Sequence, residues 1–125
     1  MIQNLLSVAL GGALGASARY LVNVAMPRLV GHGFPAATMV VNVAGSFLMG
    51  VLVVVLAEKS GNRYAPLLMT GVLGGFTTFS AFSLDAAKLY EGGQFGLAAA
   101  YVIGTVVLAL AALFAGMALA RGYFA

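Results

Sequence analysis

The chain has 125 residues, of which 62% are hydrophobic and 7% charged, with a formal net charge of +3. A soluble domain carries about 25% charged residues, and a chain this short exposes too much of its surface to hide so many apolar side chains. An ordinary soluble enzyme and a disordered chain are excluded, as is a nucleic-acid-binding module, because six Lys+Arg are too few to coat a phosphate backbone. The composition is that of an integral membrane protein. The absence of cysteine removes disulfides, thiolate metal sites and cysteine acylation.

The charged residues leave uncharged stretches at 1–18, 33–57, 64–84 and 92–120. A helix needs about 20 apolar residues to cross the hydrocarbon core, so the sequence predicts four transmembrane spans near 3–25, 34–57, 65–90 and 95–120. The first span carries Gly11-Gly12 and Gly15. No strand precedes these glycines and no acidic partner follows, so they do not make a nucleotide-binding loop. Ala16-Ser17-Ala18 resembles a signal-peptidase site, but no Lys or Arg precedes it, and the segment is expected to remain as a span. Arg19 reads either as an interfacial anchor or as a fixed positive charge that draws in anions. Pro27, Gly31, Gly33 and Pro35 form the first connection, and His32 within it reads as solvated.

The second span carries Thr38, Asn42 and Ser46, a polar stripe at i, i+4 and i+8. Such a stripe either pairs helices or lines a pathway. A polar turn, Glu58 to Arg63, leads to the third span. There Gly74-Gly75-Phe76-Thr77-Thr78 places poor helix formers at mid-membrane. A break here would free backbone groups that protein, water or an ion must satisfy, and freed carbonyls can coordinate a cation. Beyond it, Phe79 and Phe82 share one face at i, i+3, and Ser80 and Ser83 another. Asp85 and Lys88 are spaced to pair. After Gly92-Gly93, the fourth span carries Tyr101 and Thr105 at i, i+4. Nothing remains for an extramembrane domain, so residues 1–125 read as one transmembrane domain.

Small residues recur four apart: Gly11 and Gly15, Ser46 and Gly50, Gly71 and Gly75, and Ala112, Gly116 and Ala120. This spacing lets helix backbones approach closely and predicts a tight, oligomeric bundle. Lys59, Arg63 and Arg121 fall on one side of the membrane, and Arg19, Arg28 and Lys88 on the other. The positive-inside rule needs an asymmetry to set direction. Balanced charge permits insertion both ways, and hence an antiparallel homodimer. No Asp or Glu lies in the middle of a span, which argues against proton-driven cation export. No nucleophile–base constellation exists, so no enzymatic activity is expected. Hydroxyls, an amide and aromatic edges remain. Such groups favour a small anion without the fixed charge that would trap it.

Three motifs resemble those of the Fluc (CrcB-like) fluoride channels: Gly11-Gly12-Ala13-Leu14-Gly15 with Arg19-Tyr20, Thr38 to Phe47 around Asn42, and Gly74-Gly75-Phe76-Thr77-Thr78-Phe79-Ser80-Ala81-Phe82. The resemblance covers essentially the whole chain. It implies an all-α integral membrane protein of four transmembrane helices with a break in helix 3, assembled in the lipid bilayer of the bacterial inner membrane as an antiparallel, dual-topology homodimer. It implies two fluoride pores per dimer and passive, electrogenic fluoride export. The pore residues would be Asn42, Phe79, Phe82, Ser80, Thr38, Tyr101 and Thr105, with Arg19 at the aqueous vestibule. Ala109, next along the face of Tyr101 and Thr105, replaces a hydroxyl that some relatives have. A structural sodium ion at the dimer centre would be held by the backbone carbonyls of Gly74 and Thr77. The alternative is a small dual-topology multidrug or guanidinium exporter, which requires a glutamate in the first span that this chain lacks. A non-conducting scaffold would explain the glycines but not the hydroxyls.

Overall fold

The structure is a computed structural model that describes residues 1–59 and 63–124. Of the polar turn expected from Glu58 to Arg63, residues 60–62 lie outside the described residues. Helices account for nearly all of the described chain, and none of it forms a strand. Helix α1 is Ile2–Val30 and α2 is Ala36–Lys59. A π-wound segment, Pro66–Leu73, runs into one α-turn, Gly74–Phe76, and the two together are α3. Helix α4 is Phe79–Glu91 and α5 is Phe95–Phe124. Among the described residues, four stretches are long and apolar enough to cross a membrane: Ile2–Val30, Ala36–Glu58, Pro66–Glu91 and Phe95–Tyr123. The chain is a multi-pass membrane protein.

These bounds exceed the sequence expectation mainly at the C-terminal ends of the first and last spans. Pro27, expected in the first connection, lies inside α1. Proline lacks an N–H and frees one carbonyl a turn earlier. That loss is tolerated near a helix end, and the helix closes where Gly31 N–H donates to the Pro27 carbonyl, 2.9 Å. Gly31 then turns the chain at φ 83°, a backbone region that favours glycine.

The third span bends. Thr77 (φ −86°, ψ 160°) and Thr78 (φ −154°, ψ 126°) are extended between α3 and α4. Thr78 is the N-cap of α4, and its Oγ1 accepts from the Ala81 N–H at 3.2 Å. An N-cap residue takes β-region angles, so the hydroxyl that starts α4 also favours the bend. The Thr77 Oγ1 donates to the Leu73 carbonyl at 2.9 Å, closing the preceding turn.

Glycines set the packing. Gly11 abuts the backbone at Leu67, Gly71 and Val72, and Gly15 abuts Val72 and Phe76. Helix α1 and the third span therefore run side by side in the same direction. Gly50 abuts Leu113 and Met117, and Gly116 abuts Phe47 and Val51. Helices α2 and α5 form a second parallel pair. Without a hydrophobic force between helices in lipid, close van der Waals contact holds such pairs. A compact cluster of Phe82, Leu89, Ala98 and Tyr101, flanked by Phe34 and Met39, joins α4 to the second pair.

A Cβ at Gly15 would run into the Val72 carbonyl, whereas a Cβ at Gly12 meets nothing within 4 Å. Overpacking costs about 1–3 kcal/mol. Gly15→Ala is expected to destabilise the bundle by about 2 kcal/mol, and Gly12→Ala to leave it unchanged. Loss of helical circular dichroism on heating in detergent checks both.

Candidate functional site

The bend creates a backbone problem that α2 solves. In an uninterrupted helix the Thr78 N–H would donate to the Gly74 carbonyl. Here it donates to Asn42 Oδ1 at 2.8 Å, while Asn42 Nδ2 donates to the Thr78 carbonyl at 2.9 Å. Because a backbone N–H only donates and a carbonyl only accepts, this pairing fixes which way the amide points. Nδ2 has two hydrogens, so one donor is left over. The Gly74 carbonyl loses its helical donor, and Gly74 is exposed.

Asn42, Thr77, Thr78, Phe79, Phe82 and Thr105 line an open groove of about 410 Å³. Ser46 and Ala109 continue it toward the apolar Met49 and Leu113. The Phe79 and Phe82 rings are 5.7 Å apart and tilted by 46°. Phe82 is buried, whereas Phe79 is 78% exposed. Thr105 is buried, and its hydroxyl has no hydrogen-bond partner among the described residues. An unpaired buried hydroxyl costs about 1–3 kcal/mol. Thr105 lines the groove, but its hydroxyl oxygen is itself buried in this structure.

Tyr101 lies behind Phe82. It is fully buried, 5.3 Å from the Phe82 ring and edge-on to Phe34 at 5.5 Å. Its hydroxyl donates to Asp85 Oδ2 at 3.2 Å. Thr38, also buried, adjoins that hydroxyl. Asp85 thus takes Tyr101 as its partner, where the sequence suggested Lys88. The i, i+3 spacing of Phe82 and Asp85, which puts both on the α4 face toward α5, was the available signal. Asp85 and Lys88 both line a cavity of about 270 Å³ under the first connection, which also contains His32 and Phe34.

The other sequence candidates lie outside the groove. Ser80 is exposed, with its hydroxyl 3.2 Å from the Thr78 hydroxyl. Arg19 Nε donates to the Gly75 carbonyl at 3.0 Å, so its guanidinium ties α1 to α3 beside the bend. Sequence reasoning singled out neither Thr78 as a partner of Asn42 nor Gly75 as the acceptor of Arg19.

Residues 6–117 match the family model for CrcB-like protein, Camphor Resistance (CrcB). The chain belongs to the CrcB family. Over its full length it is 74% identical to the whole of a Cereibacter sphaeroides protein named fluoride-specific ion channel FluC. It is 54% identical, again over both full lengths, to a protein of that name from Paracoccus denitrificans. A third, from Agrobacterium fabrum, is 50% identical over 97% of this chain and 98% of the relative. In this CrcB chain the groove is framed by the second and third of the motifs on which the resemblance rests.

Asn42→Ala leaves both Thr78 backbone groups without their partners. Each unsatisfied group costs about 1–3 kcal/mol. The variant is expected to lose about 3 kcal/mol of stability and to exchange its Thr78 amide hydrogen at least about ten-fold faster. Thermal unfolding and amide exchange read by nuclear magnetic resonance check the two effects.

Proposed function

We propose that this chain is a fluoride-selective channel that exports fluoride passively and electrogenically, protecting the cell from its toxicity. The observation that carries the reading is the convergence of Asn42, Phe79, Phe82 and Thr105 on one groove in a chain 74% identical to a protein named for that activity. Fluoride is small and strongly hydrated, so a path must replace its water with donors while holding it weakly enough to release it. The spare Asn42 N–H and the unpaired Thr105 hydroxyl are such donors. Ring edges carry partial positive charge, and Phe79 and Phe82 offer theirs beside the same groove. Tyr101 and Thr38 continue the polar groups toward the cavity under the first connection, and Arg19 biases the approach to the path toward anions. No chemical reaction is assigned to the protein.

In this reading two copies assemble antiparallel in the bacterial inner membrane, each a single domain over residues 1–125. The exposure of Phe79, Ser80 and Gly74 on a membrane-spanning segment supports a second copy, because it leaves an aromatic ring, a hydroxyl and a carbonyl for a partner to cover. Each of two pores would then draw on both copies, Ser80 serving the one that its partner's groove lines. The extended Thr77 and Thr78 serve as the break in the third helix. A sodium ion suits the donor set there: carbonyl oxygens of unwound backbone are the ligands such ions take inside membranes, and the Gly74 carbonyl has lost its helical donor. Gly74 and Thr77 would hold it, with two further carbonyls from the second copy. When bound, it supplies a positive charge that joins the two bends, and it is not transported.

The test is fluoride efflux from liposomes containing the purified protein, read by a fluoride electrode and repeated with chloride. Fast fluoride efflux stimulated by a potassium ionophore, with little chloride efflux, is expected. Phe79→Ile and Phe82→Ile should each lower fluoride flux at least about ten-fold, the equivalent of one lost ion contact, with dimer assembly retained. Unchanged flux in both would remove the ring-edge mechanism. Stripping sodium during purification is expected to lower dimer stability, read as the monomer fraction on size exclusion, and full stability without sodium would remove the ion from the proposal.

A further inference from the structure

The polar groups of α5 stop before the groove does. Thr105 faces the groove, but one turn on, the same face presents the methyl of Ala109, and Leu113 follows a turn later. On the opposite wall α2 presents Asn42 and then, one turn deeper, Ser46. The parallel pairing of the two helices sets their relative height. Gly50 abuts Leu113 and Met117, so one turn earlier Ser46 comes level with Ala109 and Leu113.

The Ser46 side chain is half-buried, and its hydroxyl makes no hydrogen bond among the described residues. A serine at mid-membrane usually bonds across to a neighbouring helix or back to its own backbone, and an unpaired polar group there is costly. Gly50 and Gly116 already supply the close α2–α5 contact, so a serine is not needed at 46 for packing. A free hydroxyl facing a groove is explained when something in the groove accepts from it.

We propose that Ser46 is an anion-contacting residue of the conduction path, supplying from α2 the hydroxyl donor that α5 lacks at Ala109. The chain of donors passes from Thr105 on α5 to Asn42 and Ser46 on α2. The ligand is a small, strongly hydrated anion, and the inference rests on the channel reading above.

The experiment compares fluoride efflux from liposomes for the wild type, Ser46→Ala, Ala109→Ser and the double variant Ser46→Ala/Ala109→Ser. Ser46→Ala is expected to lower flux about ten-fold, as removal of one hydrogen bond to a charged group would. Ala109→Ser in that background is expected to restore most of the flux, because it returns a hydroxyl to the same level from the other wall. A helix-packing role for Ser46 would not be rescued in this way. Wild-type flux in Ser46→Ala, or failed rescue in a double variant that keeps the wild-type elution volume and helicity, overturns the assignment. Should Ser46→Ala not fold, Ser46→Cys serves in its place, with a weak donor of similar size and an intermediate flux expected. Wild-type flux in that variant also overturns it. Absence of fluoride efflux from the folded wild type is a separate result, which overturns the channel reading and this one with it.

Discussion

The structure depends on one amide meeting one peptide unit. Within the hydrocarbon core no water is available for a backbone group that leaves a helix, so any bend must carry its own partners. At Thr78 the N–H and the carbonyl both leave the helical ladder, and Asn42 meets the two together. A carboxylate has no donor when ionised, and a hydroxyl has one oxygen where two separated atoms are needed. Only an amide fits this double role at one position. The remaining adjustments are local: the Thr77 hydroxyl donates to the Leu73 carbonyl, and the Thr78 hydroxyl caps α4. Everything downstream follows from that clasp, including the start of α4 at Phe79, the direction of its rings and the Gly74 carbonyl left without its helical donor.

The glycines do a different job. They bring α1 onto the third span and α2 onto α5 at backbone distance. Two parallel pairs result, and the bend lies between them, so that Asn42 from one pair can reach Thr78 of the other. Arg19 makes the matching link within the first pair by donating to the Gly75 carbonyl. The bend is therefore held from both sides by side chains whose donors end on backbone carbonyls. A bend of this kind is a fixed feature of the bundle, not a hinge.

Much of this was legible in the sequence. Charge spacing located the four spans, and the fourfold recurrence of small residues located the two tight contacts. The i, i+4 and i, i+3 rules placed Asn42, Phe79, Phe82 and Thr105 on faces that do meet. What was not legible has physical reasons. The π-winding of Pro66–Leu73 leaves no trace, because a mostly apolar run suits either winding. The role of Asn42 as a clasp depends on which peptide unit stands opposite, a fact of packing between distant segments. Helical spacing points Asp85 to Lys88 because it sees only neighbours on the same helix, whereas its partner Tyr101 comes from another. The extension of α1 through Pro27 follows from a carbonyl that the end of a helix can spare.

The placement of Asp85 bears on how a site without fixed positive charge treats an anion. A carboxylate near an anion path repels it, and at low dielectric the repulsion is strong. Here the carboxylate accepts the hydroxyl of fully buried Tyr101, on the far side of Phe82 from the groove, and it lies in the same cavity wall as Lys88. The negative charge is thus answered by one donor and set beside one cation at the aqueous end of the bundle. The groove keeps only neutral donors and ring edges. In the proposed channel that division matters, since neutral donors hold an anion moderately and release it, whereas a buried cation would hold it tightly. Arg19 fits the same logic: its guanidinium is partly engaged by the Gly75 carbonyl, which tempers its positive charge near the bend without removing it.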